Sequence, residues 1–202
     1  MPDNGPAHAV LVHGLGGTPL HALEARLAQG GVEVECFRYA PRCEPLGPCV
    51  ARLAERLAAC SHKRLLLVGH SFGTVLLRLS IAHSAVRPRA CFLVAPPARS
   101  PQLVRWAARM PGFARFAGEL WTALSDADWM DGLPLPACET TCYVGTAGRG
   151  VANLVFRRRR HDGWLAEDEC ALPGARTRLL AAGHRDMLGD PLIAHDVLRA
   201  AG

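Results

Sequence analysis

Short apolar runs recur along the chain, and stretches with helical spacing separate most of them. Continuous apolar runs of this length are typical of strands that are covered on both faces of a sheet. We predict six strands, at residues 9–12, 32–37, 65–68, 91–94, 141–144 and 177–180. We predict helices between or after them at residues 20–29, 50–60, 74–83 and 192–200. This alternation indicates an α/β fold, with a mostly parallel sheet of about six strands and helices on both faces.

Composition limits the class of protein before any motif is considered. The 202 residues are 50% hydrophobic and 20% charged, which is typical of a globular chain that buries its own core. The net charge of +5 is too small to indicate a nucleic-acid partner. No apolar run reaches the roughly 18 residues of a membrane span, and no basic segment precedes Arg26. We therefore expect one domain over residues 1–202, with no integral membrane segment and a cytoplasmic location.

The eight cysteines do not form the pattern of a metal site. The closest spacings, Cys43 with Cys49 and Cys138 with Cys142, are not CxxC pairs, and no second pair lies at the spacing of a zinc ribbon. A chain without a signal sequence rarely carries a disulfide framework, although one oxidised pair stays open as an alternative. We expect no metal and no organic cofactor.

The strongest functional signal is the sequence Gly-His-Ser-Phe-Gly at residues 69–73, between a predicted buried strand and a predicted helix. A sharp turn from strand to helix holds its serine in a strained backbone conformation, with the hydroxyl exposed above the sheet. Glycines on either side remove Cβ atoms that would collide in such a turn. The N-terminus of the following helix stabilises negative charge that develops beside it. The pattern predicts Ser71 as a nucleophile.

A second glycine-rich loop, His-Gly-Leu-Gly-Gly at residues 13–17, follows the first predicted strand. Glycines at these positions let the backbone approach a substrate and direct N–H groups toward it. We expect the N–H groups of Leu15 and Phe72 to form an oxyanion hole. Dinucleotide binding is not favoured, because the glycines of this loop do not complete the GxGxxG pattern.

A serine hydroxyl needs a histidine to remove its proton, and that histidine needs an acid to orient it. His184 follows the last predicted strand, on a loop from which its ring can reach Ser71. His161 is the second candidate for the base. His83 and His195 lie in helical stretches, where we expect ordinary helix-surface residues.

The acid is expected on the loop after the fifth predicted strand. Asp162 is favoured, because an Asp-Gly pair forms a turn from which the carboxylate can point back from the end of the loop. A second option is the acidic group of Glu167, Asp168 and Glu169, which also has the pattern of a solvated turn.

With these residues the chain resembles the α/β-hydrolase superfamily, and within it the small bacterial lipase-like serine esterases. The resemblance extends from Val10 to the C-terminal helix. It is carried by the loop at 13–17, the turn at 69–73, Asp162-Gly163 and Gly183-His184. It implies an α/β-hydrolase fold that lacks the family's usual opening strands. It also implies Ser71 as nucleophile, Asp162 as acid and His184 as base, in the chain order of that fold, with Leu15 and Phe72 as oxyanion donors.

Residues 96–136 interrupt the alternation of strands and helices. Four of their apolar residues share one helical face: Phe113, Phe116, Leu120 and Leu124. Two interpretations are open, namely a short cap-like insertion over a pocket, or an excursion that packs on the body of the protein. Four arginines in this segment either favour an anionic head group or form a solvated helix face: Arg99, Arg105, Arg109 and Arg115.

These observations predict a serine hydrolase that cleaves carboxylic esters through an acyl-enzyme on Ser71. The expected partner is a small-molecule ester or a lipid-like ester with a short to medium acyl chain. A thioesterase or an acyltransferase would use the same three residues, and a lyase would use them without an acyl-enzyme. An alternative of a different class is a catalytically dead hydrolase fold that serves as a binding module.

Overall fold

One parallel sheet runs through the protein. The structure is a computed structural model that describes residues 6–60, 64–150 and 152–202, with the backbone alone for Ala114 and Phe116. The strands are β1 (Ala7–Val12), β2 (Glu33–Phe37), β3 (Arg64–His70), β4 (Ala90–Val94), β5 (Glu139–Gly145) and β6 (Arg176–Leu180). Their order across the sheet is β2-β1-β3-β4-β5-β6, and each neighbouring pair is parallel. The predicted α/β fold with a six-stranded sheet is confirmed.

Helices cover both faces of the sheet, as the buried strands require. The helices are α1 (His21–Gln29), α2 (Leu46–Ala59), α3 (Phe72–His83), α4 (Gln102–Ala108), α5 (Phe113–Ala117), α6 (Glu119–Ser125), α7 (Ala127–Asp131), α8 (Ala152–Phe156) and α9 (Pro191–Ala201). Successive side chains of a strand point to opposite faces, so β3 contributes Leu65 and Leu67 to one core cluster and Leu66 and Val68 to the other. The first cluster contains side chains of α2 and α3, and the second contains side chains of α1 and α9.

Segment 96–136 connects β4 to β5 and contains α4 to α7. The four apolar residues expected on one helix are divided between α5 and α6, because Gly118 has a φ of 79° and ends α5. Leu120 and Leu124 are buried in the cluster that also holds α2 and α3, and Phe113 packs against it. The Phe116 side chain lies outside the described part. The segment therefore packs on the body, although it is not one continuous helix.

The connections place a crevice at the carboxyl ends of β1 and β3. From β1 the chain passes through α1 to β2 on one side, whereas from β3 it passes through α3 to β4 on the other side. Ligands bind in open α/β sheets where neighbouring strands are connected in opposite directions. Both glycine-rich loops predicted to be functional begin at this point.

Candidate active site

Ser71 forms the turn between β3 and α3. Its backbone angles are φ 53° and ψ −125°, a conformation that costs an L-residue about 1–3 kcal/mol. The neighbouring strand holds it there, because the Ser71 N–H donates to the Val94 carbonyl at 2.8 Å. Thr74 donates its hydroxyl to the Ser71 carbonyl at 2.7 Å. These two hydrogen bonds, one at the N–H and one at the carbonyl of Ser71, stabilise its strained conformation.

Gly73 allows α3 to begin directly against the end of β1. A Cβ atom at this position would lie 2.3 Å from the Val12 carbonyl oxygen and 2.6 Å from that of His13, so only glycine fits. This contact brings Phe72 beside the loop at 13–17. Within the described ranges, the N–H groups of Leu15 and Phe72 donate no backbone hydrogen bond outside regular secondary structure.

Asp162 and His184 form a buried hydrogen-bonded pair. The His184 Nδ1 lies 2.6 Å from the Asp162 Oδ2, and the Asp162 carboxylate also accepts the N–H groups of Trp164 and Leu165, each at 2.8 Å. The main chains are joined as well, because the His184 N–H donates to the Asp162 carbonyl at 2.9 Å. A carboxylate at Nδ1 favours the tautomer that leaves Nε2 as an acceptor.

Ser71 and His184 line one cavity of about 370 Å³. Among the residues that the structure describes, the Ser71 hydroxyl makes no hydrogen bond to the His184 ring. Catalytic hydrogen bonds of this kind are often long without substrate and tighten in the complex. The predicted nucleophile and the predicted base therefore line the same cavity.

His70 is a functional candidate that the sequence analysis did not single out. Its Nε2 lies 2.9 Å from the His184 carbonyl oxygen, and the two rings are 4.8 Å apart. Burial and, to a smaller extent, the nearby His184 lower the pKa of His70 to about 3, so the ring is neutral. A neutral ring donates through Nε2 and holds the loop of His184 in place. The available signal was the position of His70, next to Ser71.

The alternative base and acids have other partners. The ring of His161 lies 2.9 Å from Asn153 Oδ1 and accepts the Gly163 N–H at 3.1 Å. Glu169 is buried and accepts the N–H groups of Gln102 and Ala166. Glu167 and Asp168 form ion pairs with arginines. None of these side chains lines the Ser71 cavity.

The wall of the cavity is mostly apolar and comes largely from segment 96–136. Five of its lining residues belong to that segment: Pro97, Pro101, Val104, Trp121 and Leu124. Trp164, which is next to Asp162 and outside that segment, also lines the cavity and is half exposed. The four arginines considered in the sequence analysis do not line it, and Arg105 instead donates to the Ser100 carbonyl. The arginines at the cavity are Arg42 and Arg185.

Metal-binding donors come together elsewhere in the protein. Over the described ranges, one group of side chains has its donor atoms within 4.8 Å of one another: His8, Glu35 and Cys60. Glu35 already forms an ion pair with Arg56 at 2.7 Å, and His8 lies near the start of β1, away from the cavity. All eight cysteines are thiols.

A parallel sheet of this order, with a strained serine after its third strand, is the architecture of hydrolases that carry a nucleophile at this turn. The model of the alpha/beta hydrolase family matches residues 9–201, and the chain belongs to this family. No curated protein sequence matches the chain. No helix in the described part has both the length and the apolar character that a membrane crossing needs.

Several solved structures share the fold at low identity. The mature form of the Bacillus licheniformis lipase BlEst2 is 18% identical, with a TM-score of 0.79 over 100% of this chain and 94% of the lipase. The metagenomic carboxyl esterase MGS0156 is 15% identical, with a TM-score of 0.68 over 98% of this chain and 74% of the esterase. RedJ, a thioesterase from Streptomyces coelicolor, is 18% identical, with a TM-score of 0.58 over 100% and 91%.

Proposed function

We propose that the protein is a serine hydrolase of carboxylic esters, with Ser71 as nucleophile, His184 as base and Asp162 as acid. The observation that carries the proposal is the 2.6 Å bond between Asp162 and His184 beside the same cavity as a strained Ser71. Each residue lies at the carboxyl end of a strand, where this family performs its chemistry.

In the proposed mechanism, the Ser71 oxygen attacks the ester carbonyl while His184 Nε2 takes its proton. Asp162 stabilises the imidazolium that forms. The N–H groups of Leu15 and Phe72 bind the oxyanion of the tetrahedral intermediate. His184 then protonates the leaving alcohol, and an acyl-enzyme stays on Ser71. Water, activated by His184, attacks the acyl group and releases the acid.

The cavity favours a substrate of modest size. Pockets of about 300–1,000 Å³ hold ligands of drug size, and this cavity is near the lower limit at about 370 Å³. Its apolar wall suits a short to medium acyl chain or an aromatic group. Segment 96–136 supplies much of that wall, so we assign it the role of a cap that sets substrate preference.

Fluorophosphonate labelling followed by intact-mass measurement tests the nucleophile. We expect one adduct on the wild type and none on Ser71→Ala. The matched control is Ser84→Ala at the far end of α3, whose serine only hydrogen-bonds the Ile81 carbonyl; it should label as the wild type does. A folded wild type without an adduct would contradict the proposal and favour the lyase or the binding module.

A second assay distinguishes an ester hydrolase from a thioesterase and from an acyltransferase. Matched esters and thioesters of butyrate and hexanoate are compared by kcat/KM, each with and without an alcohol acceptor. Faster ester cleavage with free acid as the product supports hydrolysis of esters. Preferred thioester cleavage would make the enzyme a thioesterase, and transfer to the alcohol would make it an acyltransferase.

A further inference from the structure

The cavity beside Ser71 has an unbalanced charge. Apart from histidines, its charged lining side chains are Arg42 and Arg185, and no aspartate or glutamate lines it within the described ranges. The carboxylate of Asp162 lies behind His184, buried, with its two oxygens already bonded to N–H groups. A substrate that enters this cavity therefore meets two guanidinium groups and an otherwise mostly apolar surface.

Over the described ranges, five arginines form ion pairs with acids at distances of 2.5–2.9 Å: Arg52, Arg56, Arg159, Arg160 and Arg178. In contrast, the side chains of Arg42 and Arg185 have no ion pair or side-chain hydrogen bond to any residue that the structure describes. Asp186 follows Arg185 in the chain, but the two form no ion pair. Their donors are thus available to a ligand.

Both arginines line the cavity that also contains Ser71 and His184. The Arg185 Nη2 lies 3.4 Å from the position of a Cβ atom on Gly16, so its guanidinium covers the glycine-rich loop of the oxyanion hole. Arg185 also follows His184 directly. The Arg42 backbone contacts segment 96–136, because its carbonyl oxygen lies 3.2 Å from the position of a Cβ on Gly118.

We infer that the substrate is an ester that carries an anionic group, a carboxylate or a phosphate, which Arg42 and Arg185 bind at the cavity while the apolar wall receives the rest. Guanidinium groups bind both anions through paired N–H donors, so the shared chemistry is a planar or tetrahedral oxyanion group. The inference rests on the proposed ester hydrolysis and specifies the class of its substrate.

The test compares anionic and neutral esters in two pairs. The carboxylate pair is mono-p-nitrophenyl glutarate and p-nitrophenyl hexanoate, and the phosphate pair is butyryl-glycerophosphate and monobutyrin. The ratio of kcat/KM, anionic over neutral, is measured for the wild type, Arg42→Gln, Arg185→Gln and the double variant. Arg115→Gln, an exposed arginine on α5 that does not line the cavity, is the matched control. Thermal unfolding verifies that each variant is folded.

We expect the ratio to exceed one in the wild type for at least one pair, and that pair identifies the anion. Each single substitution should lower this ratio about tenfold, since a hydrogen bond to a charged group is worth about one such factor or more. About 0.5 M sodium chloride should lower it in the wild type as well. Arg115→Gln should keep the wild-type ratio.

The outcomes separate this inference from the proposed function. Hydrolysis of neutral esters that depends on Ser71, with a ratio at or below one that the substitutions leave unchanged, overturns the anion site alone. An equal fall of the ratio in Arg115→Gln also overturns it, because the effect would then be one of overall charge. Absence of hydrolysis for all four esters overturns the proposed function and this inference together.

Discussion

Segment 96–136 and the group around Asp162 are built in opposite ways. The carboxylate of Asp162 is buried and accepts hydrogen bonds from the His184 ring and two backbone N–H groups. The segment consists of helices of five to seven residues and leaves Trp106 49% and Met110 67% exposed. The group around Asp162 is fixed by hydrogen bonds, whereas segment 96–136 packs on the body and encloses the cavity with apolar side chains. Catalytic groups need one arrangement, whereas a wall that sets substrate preference can vary.

The largest effect should come from the tightly held region. Asp162→Asn is expected to lower kcat by roughly 10⁴, because an amide at this position favours the wrong tautomer of His184 while keeping the volume. The measurement is kcat on a neutral p-nitrophenyl ester, with circular dichroism to verify the fold. Asp168→Asn, in the acidic group that is the second option for the acid, should keep wild-type kcat. The reverse result would move the acid to the exposed turn.

His70 should matter less than Asp162 and more than any residue of the wall. His70→Phe removes the donor to the His184 carbonyl, and a buried carbonyl without its partner costs about 1–3 kcal/mol, so we expect kcat to fall roughly tenfold to a hundredfold. His70→Gln can restore a donor and should recover part of kcat. A purely structural role would instead lower the free energy of unfolding in both variants and leave kcat per folded molecule unchanged.

The same histidine should make stability depend on pH. Its folded-state pKa is about 3 and its ordinary value is 6.5, so between these values the unfolded chain binds a proton that the folded protein does not. The folded state therefore loses stability as pH falls through this range, by at most about 1.4 kcal/mol per pH unit from this group. Urea unfolding of wild type and His70→Phe, from about pH 7 to about pH 4, measures it. The wild type should lose stability faster on acidification; parallel curves would contradict a neutral His70.

Two glycines, one at the turn of Ser71 and one in segment 96–136, compare these two regions by their effect on the free energy of unfolding. Gly73→Ala places a Cβ against two carbonyl oxygens at the end of β1. We expect the free energy of unfolding to fall by at least the usual value of about 1–3 kcal/mol for overpacking, and fluorophosphonate labelling to be lost. Gly118→Ala meets only one carbonyl oxygen, at 3.2 Å, and a backbone with φ 79° and ψ 172°, a combination that costs residues other than glycine about 1–3 kcal/mol. Its labelling by fluorophosphonate should stay intact. Urea unfolding gives both values, and equal losses would remove the contrast between the regions.

The sequence predicts the central strands β1, β3 and β4 because each contains a short apolar run that must be buried. The edge strands β2 and β6 carry charged residues and are mostly exposed or half-buried. The sequence also predicts the turn at Ser71, since strand, glycines and helix are contiguous. The predicted start of one helix was wrong by one turn. Helix α2 begins at Leu46 rather than at residue 50, because Pro48 lies in the first turn, where its missing N–H costs little. In each feature that was predicted, the residues that determine it are close together in the sequence.

The contacts that sequence reasoning missed join distant parts of the chain. His70 reaches a carbonyl 114 residues away, and its position beside Ser71 does not by itself indicate that contact. Arg42 and Arg185 face the cavity only because two loops meet over it, whereas arginines nearer to the aromatic residues in sequence point elsewhere. Which side of a loop faces a cavity depends on tertiary packing that a residue pattern does not encode.

Asp162 is tied at both ends of its turn, and this has a consequence for how relatives can diverge. The Gly148 N–H donates to the His161 carbonyl at 2.7 Å, and the Asp162 N–H donates to the Leu165 carbonyl at 3.0 Å. The hydrogen bond between Gly148 and His161 therefore closes the loop between these two residues. Within this stretch Asn153 bonds the His161 ring and Phe156 packs against it, whereas residues 157–160 are exposed. A library of loop lengths should therefore vary the exposed residues 157–160 and keep Asn153, Phe156 and the bond between Gly148 and His161.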